Sequence, residues 1–464
     1  MSANQVTTVN PATNQELASY PSLTEAGIDA VLARAVEVQA QWKHTDLPRR
    51  AQALRALGAI LRAEVEDHAA LISNEMGKPI TEARGEVLKC AVTCDYYADH
   101  VEEFLAPKTV KTEAVNSFVS YEPLGVIFAV MPWNFPYWQV IRFAAPTLAA
   151  GNAGLLKHAS NVTGSALAIQ SAIERAGFPV GLFTSLVVAD HGAVNRIVED
   201  PRVAAVTLTG SEKAGASVAE AAGRALKKTV LELGGSDPFV VLADADVEAI
   251  APFAVKARFI NTGQSCLCAK RFIVEQDVVN DFEGRIKTIV EKLVIGNPLD
   301  ATTQIGPLAK ASFVNDIDKQ VQDSLAMGAR LVTGGHRIDG PGNYYAPTIL
   351  ADVTPDMPVF NQETFGPVLA LVAADSPQQA IGLANQSQYG LAASIWTANP
   401  AIGLELGSGI ASGALFVNGV VASDPRLPFG GVKLSGYGRE LSIEGMHEFV
   451  NVRAVWIGDM PSVA

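Results

Sequence analysis

Apolar residues recur at three- and four-residue steps between Thr24 and Met76, at Ile28, Val31, Leu32, Ala35 and Val36 and again at Leu54, Leu57, Ile60 and Leu61. That spacing lines one face of a helix, and Pro48 separates two such helices. Another helical run covers Ile80 to Phe104. Before them, Asn10-Pro11-Ala12-Thr13 reads as a turn between short strands within Thr7 to Tyr20. From Gly125 to Leu231 the pattern changes to an alternation. Gly125 to Met131, Ala153 to Lys157, Thr184 to Val188 and Val203 to Thr209 are strand-like, while Phe143 to Ala150, Ala166 to Ala176 and Glu212 to Lys227 are helical. A second series runs from Asp237 to Ala422, with strands expected at Phe239 to Leu242, Arg271 to Val274, Leu369 to Val372 and Ala392 to Trp396. Such alternation predicts parallel sheets covered on both faces. Lys108 to Tyr121 alternates apolar and polar residues and reads as extended strand.

The chain has 464 residues, 48% of them hydrophobic, which is more than one typical domain and enough for large cores. A boundary is expected near Gly234-Gly235. The net charge of -13 makes nucleic acid or an anionic membrane a poor partner. No apolar run approaches the roughly 20 residues that span a bilayer, and the polar start Met1-Ser2-Ala3-Asn4-Gln5 lacks a signal pattern. Four cysteines in this length do not form a disulfide framework, so a reducing cytoplasm is expected. Cys90 and Cys94 share a helix face and read as core; no metal site is expected.

Three short stretches carry chemistry. In Asn261-Thr262-Gly263-Gln264-Ser265-Cys266-Leu267-Cys268, a small-residue connection joins a helical run to a strand and holds two of the cysteines. Helix ends and free amides gather there, a suitable setting for a thiolate. Thr229 to Ser236 is an apolar strand whose Glu232, flanked by Leu231 and Leu233, enters a Gly-Gly turn. Partial desolvation there suits a general base. In Met131-Pro132-Trp133-Asn134-Phe135-Pro136, two prolines fix the chain and Asn134 offers an amide donor. Taken singly, each has a plain alternative: a buried cysteine, a strand-end charge, a turn former. A fourth stretch, Thr209-Gly210-Ser211-Glu212-Lys213-Ala214-Gly215, follows a strand and opens a helix, a placement that suits a pyrophosphate.

Together these segments, with Glu363-Thr364-Phe365-Gly366-Pro367 and Pro428-Phe429-Gly430-Gly431-Val432-Lys433-Leu434-Ser435-Gly436, resemble the signature segments of the aldehyde dehydrogenase superfamily in order and separation. The resemblance covers essentially the whole chain. It implies an α/β fold with a Rossmann-like cofactor domain (1–107 and 123–234), an α/β catalytic domain (235–445) and a β-strand oligomerisation arm (108–122 and 446–464). It implies Cys266 as nucleophile, Glu232 as base and Asn134 as oxyanion donor, acting through a thiohemiacetal and a thioester on an aldehyde, in a homodimer or homotetramer. Cofactor contacts are implied for Trp133, Lys157, Ser160, Gly210, Ser211, Gly215, Glu363 and Phe365. NAD-preferring relatives often carry a glutamate where Ser160 stands. A small neutral residue beside Lys157 leans to NADP, with NAD second. His158 is expected to pack rather than to catalyse.

Within the superfamily the chain is most similar to the bacterial succinate-semialdehyde dehydrogenases. Matching residues there hold the substrate carboxylate with Arg142, on a helix expected to begin near Phe135, and Ser423, with Arg426 as a weaker candidate. The alternative is a broader enzyme acting on glutarate semialdehyde or on aliphatic or aromatic aldehydes. Some of these relatives use a second cysteine at the spacing of Cys268 as a redox switch.

Overall fold

The strand-helix alternation after Gly125 builds the sheet that carries half of the site. Val126–Met131 is apolar throughout and buried on both faces, as a central parallel strand must be. It pairs in parallel with Ala153–His158 on one side and Val203–Thr209 on the other. Phe183–Ser185 and Lys228–Glu232 extend the two flanks in parallel. The chain thus adds strands first to one side of Val126–Met131 and then to the other, and beyond the carboxyl ends of strands at such a reversal α/β proteins bind their ligands. The computed structural model describes residues 5–190 and 192–459.

A second, seven-stranded sheet follows after Gly235. Its central strands Val368–Ala374, Ala269–Glu275, Asp237–Val241 and Ala392–Trp396 are parallel neighbours. Three further strands, Arg330–Thr333, Thr348–Ala351 and Ala414–Val417, were not foreseen, because they are short and two of them lack full burial. Separate apolar clusters fill the two faces of this sheet.

After the second sheet the chain returns to the first. Gly436–Tyr437 crosses back and pairs antiparallel with Lys228–Glu232, and Phe429, Leu441 and Met446 pack in the core of the first sheet. The return brings Glu440 beneath the end of the Glu232 strand.

At the amino end, Gln5–Val9 and Glu16–Pro21 form a hairpin. Helices Glu25–Trp42, Leu47–Ala63, Val65–Met76 and Ile80–Phe104 follow. Pro48 sits in the first turn of the second helix, where its missing N–H costs nothing. Cys90 and Cys94 are wholly buried on the helix Ile80–Phe104. The helix after Asn134 begins at Trp138 rather than near Phe135, since the second proline and the turn after it come first. Glu212–Arg224 stops short of Lys227, where Leu226 takes a left-handed backbone (φ 55°). Asn116–Pro123 lies between Lys108–Thr109 and Val450–Ile457 in a separate three-stranded sheet. Among the described residues no helix is long and apolar enough to cross a membrane.

Candidate active site

The Cys266 loop is built on an unusual turn. Helix Val247–Phe259 runs into a short coil, Ile260–Gly263, in which Asn261 (φ 53°), Thr262 (φ 56°) and Gly263 (φ 75°) are all left-handed. Sequence reading anticipated only the glycine. A side chain at 263 would put its Cβ 2.2 Å from the Gly366 carbonyl oxygen. The two non-glycine residues cost of order 1–2 kcal/mol each in this conformation, and their own hydrogen bonds offset it. Asn261 N–H donates to Glu82 Oε2 (2.6 Å) and its Nδ2 to the carbonyls of Asn134 (2.8 Å) and Gln264 (3.0 Å). Thr262 Oγ1 accepts from Gly306 N–H (3.0 Å).

The same bonds join this loop to the segment bearing Asn134. Asn134 is buried, and its Nδ2 donates to the Gln264 carbonyl (3.1 Å). His158, at the end of the neighbouring strand, fastens that segment from behind. Its Nδ1 lies 3.0 Å from Ala159 N and 3.1 Å from the Met131 carbonyl oxygen, and its Nε2 lies 2.9 Å from the Pro136 carbonyl oxygen. Burial lowers the His158 pKa to about 4, so the ring is neutral and structural. Below the loop, a Cβ on Gly235 would lie 2.8 Å from the Cys266 carbonyl oxygen. The buried Lys270 ammonium donates to the carbonyls of Cys266 (2.9 Å) and Ser265 (3.1 Å) and reaches Glu363 Oε1 (3.3 Å). Nothing in the local pattern around Lys270 marks it out, because it sits inside an apolar strand.

Cys266 stands where two cavities meet. One, of about 410 Å³, is also lined by Lys89, Trp138, Arg142, Leu267 and Ser423. The other, of about 200 Å³, is lined by Trp133, Asn134, Gly210, Ser211, Glu363 and Phe365. Burial pushes the Cys266 thiol up to about 12, against the opposing pull of Lys270 and Arg142. The loop therefore presents a thiol held in reserve rather than a standing thiolate.

Glu232 does not line either cavity. Its carboxyl is buried, neither oxygen has a hydrogen-bond partner in the protein, and a Cβ on Gly430 would lie 2.8 Å from Oε1. Burial, with the charge of nearby Glu440, holds its pKa well above the carboxylate range. Glu440 is the carboxylate paired with Arg142, whose Nη2 also donates to Thr209 Oγ1 (3.1 Å) and whose guanidinium lies 4.8 Å from the Phe429 ring.

In the smaller cavity, Trp133 stacks on Phe313 (5.0 Å) and meets Phe365 edge-on (5.8 Å). Ser211 caps the helix Glu212–Arg224, accepting from Ala214 N–H (3.4 Å), and Gly210 precedes it. Glu363 Oε1 accepts from Gly235 N–H (3.0 Å). Gly215 is not part of the lining; a Cβ there would sit 2.6 Å from Leu233 Cδ2, so this glycine lets helix and strand pack closely. Lys157 is buried, its pKa lowered by burial and by Lys310, and neither lysine is ion-paired among the described residues. Lys310, whose charge acts on Lys157, was not singled out in the sequence. Ser160 is exposed at the start of the turn Ser160–Val162.

Ser423 is brought into the larger cavity, where its Oγ accepts from Lys89 Nζ (2.7 Å). Arg426 is not: it is exposed and paired with Asp424 (2.7 Å). Cys268 is wholly buried, its thiol directed at the Ile260 carbonyl (3.6 Å) and outside both linings. Both it and Cys266 are free thiols.

Residues 1–455 match the aldehyde dehydrogenase family. A probable NADP+ succinate-semialdehyde dehydrogenase of Synechocystis is 50% identical over 97% of this chain and 99% of its own. The NADP+ succinate-semialdehyde dehydrogenase of Mycobacterium avium is 47% identical over 98% of each. The solved succinic semialdehyde dehydrogenase of Streptococcus pyogenes, in complex with NADP+, superimposes with a TM-score of 0.95 at 40% identity, over 98% of this chain and 100% of that one.

Proposed function

The chain belongs to the aldehyde dehydrogenase family, and we propose that it oxidises succinate semialdehyde to succinate with NADP+. The observation that carries this reading is the position of Cys266 at the junction of two cavities, one ending in Arg142, Lys89 and Ser423 and the other lined by Trp133, Gly210 and Ser211. The naming of relatives at 47–50% identity points the same way.

The residues fit the cofactor. The Ser211 helix start suits its pyrophosphate, Glu363 its second ribose, and Trp133 and Phe365 flank its ring. Lys157 and Lys310, lacking any carboxylate, suit a 2′-phosphate, and Ser160 puts no negative charge against it. When bound, the cofactor supplies the hydride acceptor.

The chain's own groups do the rest. Cys266 gives its thiol proton to water in the open cavity, from which it passes to solvent, and the sulfur then adds to the aldehyde carbon. Asn134 uses the amide hydrogen not engaged by Gln264, together with Cys266 N–H, to hold the oxyanion. Loss of hydride leaves a thioester on Cys266, and water attacks it. Glu232 takes the proton of that water, and for this it turns out of its buried position toward the cavity. Buried, the carboxyl keeps its proton; hydrated, its pKa falls and it accepts one.

The three-stranded sheet suits assembly into a homodimer or homotetramer, because its outer strand Val450–Ile457 exposes Val452, Trp456 and Ile457 along an edge. The four free cysteines suit a reducing cytoplasm.

The test is initial rates of cofactor reduction with succinate semialdehyde, NADP+ and NAD+ side by side. Fast NADP+ reduction is expected. A clear NAD+ preference overturns the reading of Ser160, and no rate with either cofactor under reducing conditions overturns the substrate.

A further inference from the structure

The segment that carries Asn134 runs into a helix that does not cap itself. Trp138–Ala149 begins just after Pro136 and Tyr137, with no side-chain cap of its own and no acidic residue in its first turn. Tyr137 and Trp138 are buried, and buried amides at a helix start need an acceptor. Glu86 supplies it from another helix, Ile80–Phe104. Its Oε1 accepts from Tyr137 N–H (2.8 Å) and Trp138 N–H (3.0 Å). Its Oε2 faces Lys78, a buried lysine whose ammonium also lies 3.6 Å from the Phe135 ring centre. One ion pair thus holds Phe135, Tyr137 and Trp138, which closely follow Asn134. The first turn of the held helix brings Gln139, whose side-chain amide lies 2.9 Å from Asn134 Oδ1. One turn before Glu86 and on the same helix face, Glu82 accepts from Asn261 N–H (2.6 Å), and Asn261 Nδ2 donates to the Asn134 carbonyl (2.8 Å).

We propose that Glu86 is a positioning residue for the oxidation: by capping this helix start it fixes the Asn134 amide where the oxyanion forms, and Lys78 is the counter-ion that keeps its charge buried. This rests on the reading of Asn134 as oxyanion donor. Glu86 borders the larger cavity, but both its oxygens are taken, one by the two amides and one by Lys78. It therefore acts through the backbone it holds rather than on the aldehyde. An ionised carboxylate suits the task, because it accepts more strongly than a neutral group and sits at the positive end of the helix. Without it the helix start shifts toward other acceptors. A displacement of about 1 Å at the oxyanion donor costs about a hundredfold in rate.

Charge-neutral pairs of substitutions isolate the acceptor. Lys78→Met/Glu86→Leu removes it, and Lys78→Met/Glu86→Gln returns a carbonyl oxygen to the two amides without the ion pair. The readouts are kcat/KM with NADP+ for succinate semialdehyde and for butanal, and the rate of Cys266 alkylation by iodoacetamide, which passes through no oxyanion. The leucine pair should lose about thirtyfold or more in kcat/KM for both aldehydes. The glutamine pair should lose less than about fivefold, and alkylation should stay within about threefold of the parent in both. In an Asn134→Ala background the leucine pair should cost no more than about threefold further, because both changes remove one interaction. Should the leucine pair not fold, Glu86→Gln alone takes its place in the same cycle, since its carbonyl is drawn to the unpaired Lys78 and away from the amides. Equal kcat/KM with and without the acceptor overturns the assignment. So do losses that multiply in full with Asn134→Ala, or alkylation that falls in step with turnover. Parent-like kcat/KM in Asn134→Ala overturns the reading of Asn134 itself. Failure of the unmodified enzyme on succinate semialdehyde overturns only the substrate reading, since the Glu86 comparison stands on butanal as well.

Discussion

Alkylation of Cys266 in the cofactor-free protein tests how its thiol is held. Burial places its thiol at about 12. At pH 8 such a group is ionised to about one part in 10⁴, against about a quarter for an unperturbed thiol near 8.5. The more basic thiolate is intrinsically more reactive, and a Brønsted slope of ~0.45 over that pKa difference recovers roughly fortyfold. The net expectation is that iodoacetamide modifies Cys266 about sixtyfold more slowly than a small exposed thiol at pH 8. The rate should then climb close to tenfold per pH unit from 7.5 to 10, without a plateau. The assay is loss of activity against time, with peptide mass analysis to assign the label to Cys266 rather than to the buried Cys90, Cys94 or Cys268. A plateau below pH 9 would refute the argument. It would mean that Lys270 and Arg142 already stabilise a thiolate against burial, and that activation precedes cofactor binding.

Two further perturbations follow from the packing around this loop. Gly235→Ala forces a Cβ to within 2.8 Å of the Cys266 carbonyl oxygen, a backbone atom that cannot swing aside. A stability loss of about 1–3 kcal/mol in denaturant melts and a drop in kcat of at least about tenfold are expected, and wild-type kcat would show that the loop tolerates the shift. Glu82, which accepts from Asn261 N–H, has its carboxyl pushed up to about 7 by burial. Its folded pKa lies above the unfolded value near 4.5, so the stabilising proton is fully held below pH 4.5 and lost as pH rises to 7. Glu82→Gln should therefore gain stability relative to the parent across that window, by about 3 kcal/mol on reaching pH 8. Parallel pH curves for the two proteins would show that Glu82 titrates normally.

Local patterns carried much of this protein in plain view. The three- and four-residue apolar steps marked the helix Ile80–Phe104, and the uniformly apolar run Val126–Met131 marked a central strand, because each element's neighbours along the chain already specify which faces are buried. Residues set in recognisable turns, such as Asn134 between two prolines and Cys266 after Gly263, were legible for the same reason. Residues whose meaning depends on distant partners were not. Lys89 looks like one of many helical lysines until Ser423, 334 positions away, meets its ammonium. Arg142 read as a free cation until the returning segment brought Glu440 to it. Left-handed Asn261 and Thr262 are tolerated only because Glu82 and Asn134 accept from Asn261 and Gly306 N–H donates to Thr262. The sequence by itself determined most of the elements and their parallel stacking, because short-range sterics and hydrophobic periodicity act along the chain, and its family resemblance singled out Cys266, Glu232 and Asn134 as the candidate nucleophile, base and oxyanion donor. Only the tertiary structure decided which charges remain unpaired, since desolvation and ion pairing depend on groups that the chain brings together in space.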